Sequence, residues 1–138
     1  MTRSLLAASL VLTLATLALA PAALGADTRA FELRIYTAEE GKLEALHSRF
    51  RDHTIGLFKK HGMEVIGFWV PKAGDEGAGN TLVYLMAYPS QEARDASWKA
   101  FSDDPEWKTV YTESHKNGPL VKKVESRKLD ATDYSPMR

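Results

Sequence analysis

Eight consecutive residues, Thr81–Tyr88 (TLVYLMAY), carry one small polar side chain and are otherwise dominated by β-branched, aromatic and aliphatic types. That composition suits a strand. Alternation places Leu82, Tyr84, Met86 and Tyr88 on one face and Val83, Leu85 and Ala87 on the other. Both faces are apolar, whereas an edge strand of a one-sided antiparallel sheet shows water a polar face. The stretch therefore predicts a central strand covered on both sides, and the rest of the chain must supply the covers.

Phe31–Thr37 (FELRIYT) alternates Phe31, Leu33 and Ile35 against Glu32, Arg34 and Tyr36, which predicts a first strand. A helix is predicted over Gly41–His61. Leu43, Leu46, His47, Phe50, Thr54, Leu57, Phe58 and His61 form its apolar stripe, and Arg49, Arg51, Asp52, Lys59 and Lys60 lie mostly off it. Gly62 after two lysines and a histidine is a C-terminal signature. Met63–Val70 reads as a second strand, with Gly67 marking a bulge or a close approach. Lys72–Asn80 is a glycine-rich, mobile hairpin loop. It is not a phosphate loop, because neither a Lys-Ser/Thr pair nor a helix follows.

Ser90 caps a helix running through Trp98 and Phe101, and Asp103-Asp104-Pro105 opens another with Pro105 at its first position. Leu120–Leu129 is rich in charge and suits an edge strand. Residues 130–138 form a tail that Tyr134 and Pro136 could pin to a partner. The order β-α-β-β-α-β predicts an α+β, ferredoxin-like domain, with a four-stranded antiparallel sheet and its helices on one face. The other sheet face is apolar enough to call for a homodimer packed sheet against sheet.

Residues 1–25 read as a cleaved signal peptide. Arg3 precedes the uncharged run Leu5–Ala20, and small residues follow Pro21; cleavage after Gly25 or after Ala20 fits the pattern. The alternative is a retained anchor, since Leu5–Leu24 nearly reaches the roughly 20 residues of a bilayer span. Thr13, Thr16 and Pro21 favour cleavage, with 26–30 as a short linker. The expected location is periplasmic or secreted. The chain has no cysteine, which excludes disulfides, thiol catalysis and cysteine-ligated zinc. Its 18 basic and 18 acidic residues, less Arg3, leave a charge near −1 and no basic patch. Neither nucleic acid nor a lipid surface is an expected partner.

Several segments together resemble the NIPSNAP family, within the dimeric α+β barrel superfamily. They are FELRIYT followed by Gly41-Lys42-Leu43, HGMEVIGFW (His61–Trp69), Asn80 with VYLMAY (Val83–Tyr88), and DPEW (Asp104–Trp107). The resemblance spans nearly all of residues 31–129. It departs at Thr37-Ala38-Glu39-Glu40, where the family often carries a proline before the glycine. It implies the fold and the dimer. It implies no reaction, although the superfamily includes cofactor-free monooxygenases, haem-degrading enzymes and small isomerases.

Candidate chemistry is sparse. His47 and His53, on the first helix, are candidate general bases, against the alternative of packing histidines. Glu44-x-x-His47 has the spacing of a di-iron half-site, but such sites need two such motifs and further glutamates, so no metal is expected. If Leu33 and Ile35 face the helices, Arg34 and Tyr36 point away into the dimer barrel, where they could orient an anion or form an interface ion pair with Glu32 or a partner residue. Trp69, Tyr84, Trp98 and Trp107 could line a pocket for a flat apolar ligand or could be packing residues. No cofactor signature is present. Two functions follow: a binding domain for a small apolar or aromatic molecule, or a cofactor-independent monooxygenase or isomerase. A non-catalytic interaction module is the third possibility.

Overall fold

The structure is a computed structural model that describes residues 29–138; the predicted signal peptide and most of the linker lie outside the described residues. Four strands, β1 (Ala30–Ala38), β2 (Glu64–Trp69), β3 (Thr81–Tyr88) and β4 (Val121–Asp130), form one sheet in the order β2-β3-β1-β4. Every pairing is antiparallel. The Thr81–Tyr88 strand is central, flanked by β1 and β2, and β4 is an edge, as its charge predicts. Helix α1 spans residues 43–60. It is α-helical over Leu43–Arg49 and Ile55–Lys60, with a π-helical turn, Phe50–Thr54, between them. Helices α2 (Gln91–Asp103) and α3 (Pro105–Ser114) follow β3. No helix of the described residues is long and apolar enough to cross a membrane.

Local signals set the element ends. Met63 N–H donates to Phe58 C=O at 2.9 Å and Gly62 N–H to Lys59 C=O at 3.2 Å, a Schellman closure that needs the positive φ of 70° at Gly62. Ser90 Oγ accepts from Ala93 N–H at 3.1 Å and Asp104 Oδ1 from Glu106 N–H at 2.8 Å, so both predicted caps are made. The ladder between β2 and β3 slips between Val65 and Gly67. Gly67 serves a close approach as well, because a Cβ there would lie 2.7 Å from the Trp69 ring.

The register corrects the predicted facing of β1. Glu32, Arg34 and Tyr36 lie opposite Met86, Tyr84 and Leu82, on the helix-covered side; Phe31, Leu33 and Ile35 lie opposite Ala87, Leu85 and Val83, on the other. Apolarity alone chooses the reverse. The structure buries the polar set because each of its charges finds partners there. Glu32, fully buried, accepts six hydrogen bonds: from Arg34 Nη1 (2.8 Å), Arg94 Nη2 (2.7 Å) and Nε (2.9 Å), Trp98 Nε1 (2.8 Å), Ser126 Oγ (2.5 Å) and Tyr88 Oη (3.2 Å). Arg34 also donates to Tyr84 Oη at 3.0 Å and Tyr36 Oη at 3.1 Å.

Around this cluster pack Leu46, Phe50, Leu57, Phe58, Met86 and Phe101. Leu33, Ile35, Val83 and Leu85 are half-buried on the opposite sheet face, where Phe31 lines a groove with Ala131, Ser135 and Met137 of the tail beyond β4. Tyr134, expected to pin the tail to a partner, is exposed in the single chain.

Burial pushes the Glu32 carboxyl up, but hydrogen bonds from Arg94, Ser126, Arg34 and Trp98 outweigh it and hold it at about 2, against an ordinary 4.5. The folded value is the lower one. The ionised carboxylate therefore stabilises the fold fully above the ordinary value, and that contribution is lost as pH falls from 4.5 toward 2. It is on the order of 3 kcal/mol. Urea unfolding as a function of pH should show this loss. Glu32→Gln leaves two arginines without their carboxylate and should already lack about 3 kcal/mol at neutral pH. A variant as stable as the parent would remove Glu32 from this role.

Candidate functional site

Helix α3 carries Trp107, Tyr111 and, as its C-terminal cap, His115 at four-residue spacing, so the three rings rise along one helix face. Successive centroids are 5.8 Å and 4.0 Å apart, and Trp107 continues into Phe101 at 4.5 Å. Facing this ladder, Phe50 and Phe58 of α1 and Tyr36 of β1 contribute edges, with Tyr36 5.8 Å from Phe50. Trp98 forms the back and β4 residues 121–124 the remaining wall. The cleft between them holds about 290 Å³. That lies at the small end of ligand pockets and suits a one- or two-ring molecule.

The cleft's polar groups are few. Besides the phenols of Tyr36 and Tyr111, the charged or titratable residues that line it are Arg49, His115, Lys122 and Lys123, with no carboxylate among them; Lys123, opposite Thr37 on the sheet's other face, is paired with Glu125 at 2.9 Å. Arg49 is the unusual one. It is buried, at 6% exposure, and its Nε is a buried donor with no acceptor. Among the described residues its guanidinium makes one hydrogen bond, a long one of 3.4 Å from Nη1 to Ser114 Oγ. Its guanidinium carbon lies 5.4 Å from the Trp107 ring centre and 6.0 Å from that of Tyr111. Burial pushes the Arg49 pKa down, with only the tyrosines Tyr36, Tyr111 and Tyr84 acting against it. His115 Nδ1 lies 2.7 Å from the Tyr111 carbonyl oxygen, which can only accept, so Nδ1 carries the proton and a neutral ring leaves Nε2 free to act as a base.

The candidates named from the sequence are divided among several places. Tyr36, Trp98 and Trp107 meet in the cleft. Arg34 and Tyr84 stand behind it; Arg34 stacks 4.3 Å from the Trp98 ring centre, and Tyr84 is fully buried. Burial pushes the Tyr84 phenol up. Trp69 and His47 share a different groove with Phe50, Phe68 and Leu82. His53 is exposed, in a groove between α1 and α3 beside Asp52 and Glu113. Neither histidine lines the aromatic cleft. No cluster able to hold a metal ion occurs among the described residues.

Arg49 and His115 are the cleft residues that sequence patterning passes over. At 100° per residue Arg49 falls off the apolar stripe of α1. The π-turn alters that phase: five-residue bonding places Thr54 over Arg49, and Thr54 Oγ1 donates to Arg49 C=O at 3.2 Å. An arginine buried without a carboxylate contributes little to folding. Arg49→Met should therefore leave stability within about 1 kcal/mol of the parent, or raise it, in urea titrations. A loss of about 3 kcal/mol or more would mark Arg49 as a structural residue instead.

Comparisons with known proteins agree with this architecture. An uncharacterised NIPSNAP-like domain protein from Burkholderia xenovorans superposes with a TM-score of 0.69 at 21% identity, covering 80% of this chain and 91% of that one. A NIPSNAP family protein of unknown function from Agrobacterium tumefaciens gives 0.69 at 21% identity, covering 81% and 96%. A mutant of SnoaB, a cofactor-independent oxygenase from Streptomyces nogalater, gives 0.53 at 15% identity, covering 79% and 98%. No curated protein matches the chain. The NIPSNAP family model matches residues 31–136, and the chain accordingly belongs to the NIPSNAP family.

Proposed function

We propose that this chain is an exported binding domain that acts as a homodimer and takes a small flat aromatic molecule into the cleft between α1, α3 and the sheet. The observation that carries the proposal is the ladder Phe101, Trp107, Tyr111 and His115, whose rings face Tyr36 and Phe50 across a space of about 290 Å³. Aromatic walls favour flat ligands through offset and edge-to-face contacts. Export rests on the composition of residues 1–25. Self-association rests on Leu33, Ile35, Val83 and Leu85, a patch left half-buried on the uncovered sheet face and extended by Trp69 at 52% exposure.

The test of ligand binding is a tryptophan-fluorescence titration with 2-naphthamide, a neutral two-ring probe. Saturable binding is expected. Tyr111→Ala, at a residue already 49% exposed, should fold normally and weaken binding about fivefold or more, while Trp69→Ala, outside the cleft, should not. Absence of saturation, or equal affinity in Tyr111→Ala, would remove the cleft as a binding site.

A second reading is carried by His115, the histidine that lines the cleft with its Nε2 free as a base. In this reading the domain deprotonates a phenolic ligand for reaction with oxygen, as a cofactor-independent oxygenase. Oxygen uptake with 1-naphthol, abolished in His115→Ala, is the expected result; uptake that survives the substitution, or no uptake at all, leaves the binding domain standing alone.

A further inference from the structure

We infer that the natural ligand of the aromatic cleft is an aromatic carboxylate, whose carboxylate is received by the free edge of the Arg49 guanidinium. The inference rests on the cleft reading above and narrows it to a charge class.

The geometry of the arginines carries it. Arg94 offers its Nε and Nη2 edge to Glu32, at 2.9 and 2.7 Å, a two-point fork on a planar carboxylate. Arg34 is satisfied on all three nitrogens, by Tyr84, Glu32 and Tyr36. Arg49 is as deeply placed as either. Its Nη1 is turned to Ser114, which leaves the Nε and Nη2 edge, the one Arg94 uses, without a carboxylate and with Nε buried and unpartnered. A buried donor of this kind costs about 1–3 kcal/mol when unmet, more when charged. A carboxylate arriving with a ligand would meet it.

The surroundings point the same way. No acidic side chain lines the cleft and Lys122 stands on its β4 wall, so with Arg49 the local field attracts an anion; Lys123 is paired with Glu125 at 2.9 Å and adds little. The groove on the other side of Arg49 does contain Asp52 and Glu113, but neither pairs with it among the described residues; Glu113 is held by Lys116 at 2.5 Å. The Trp107 and Tyr111 rings flank the guanidinium, so a ring attached to the carboxylate would lie against the aromatic ladder. A planar carboxylate fits one arginine edge in two-point fashion, as Glu32 fits that of Arg94.

The experiment compares 2-naphthoate with 2-naphthamide, the same rings and nearly the same shape with and without charge. Tryptophan fluorescence and calorimetry on the purified protein near neutral pH would read both. The parent should bind naphthoate about tenfold or more tightly than the amide. Arg49→Met should lose that preference, weakening naphthoate about tenfold and the amide, whose carbonyl accepts without charge, far less. Arg49→Gln, which keeps polarity without charge, should behave the same way and serves should the methionine variant fail to fold. Equal affinity for the two probes in the parent would overturn the anion assignment and leave the aromatic cleft intact. A preference that persists in both variants would overturn the role of Arg49 and move the charge recognition to Lys122 of β4. Failure of both probes to bind would remove the cleft reading and this inference together.

Discussion

One buried carboxylate organises the domain. Glu32 sits on a central strand, fully shielded from water, and the groups that hydrogen-bond to it come from β1, β3, β4 and α2. An isolated charge in that position would be prohibitive. Six donors make it tolerable, and in doing so they fix geometry: α2 must lie where Arg94 and Trp98 reach the sheet, and β4 must present Ser126 to the same point. Trp98, held through its indole N–H, then becomes the back of the cleft with Arg34 stacked against it at 4.3 Å. The hydrogen bonds that join helix to sheet are thus the ones that place the wall of the candidate site.

Arg49 is the counterpart. Two arginines reach Glu32 and are neutralised by it, and a third, equally buried, has aromatic neighbours and one long bond to a serine. A fold selected only for stability would fill that position with an apolar side chain of similar length, since burying an unpaired charge is among the costlier things a core can do. The π-turn beside it has the same character. It lengthens one turn of α1 between two ordinary α-helical stretches, and such turns are frequent at functional sites. Both irregularities adjoin the cleft.

The sequence makes the scaffold readable because the scaffold obeys local rules. Thr81–Tyr88 is central because both of its faces are apolar; Ser90 and Asp104 cap because their side chains reach the first free N–H groups; Gly62 and Gly67 stand where a left-handed turn and a close ring approach require them. Pattern reading fails where polar residues are buried. Hydrophobic alternation turned β1 the wrong way round, because it counts Glu32 and Arg34 as solvent-seeking and has no means of seeing Arg94, some 60 residues on, as their partner. Arg49 was missed for a related reason, an assumed constant helical phase that the π-turn breaks. Of the aromatic candidates, Trp98 and Trp107 fall in the cleft while Trp69 does not, since strand alternation carries it opposite Val83 to the uncovered face.

That division between the faces bears on how the protein can work. The cleft takes its walls from α1, α2, α3, β1 and β4 of a single chain, all on the helix-covered side. The uncovered face presents Leu33, Ile35, Val83 and Leu85, with the Trp69 ring folded across Gly67, where a side chain would block it. The proposed self-association through that face would therefore leave the cleft as it stands in the single chain, and the cleft's walls lie apart from that face. The two sides share the strands of the sheet, whose residues alternate between them. Glu32 and Arg34 on one side are backbone neighbours of Leu33 on the other, so the hydrogen-bonded cluster that holds the sheet to its helices and backs the cleft also underlies the uncovered apolar face.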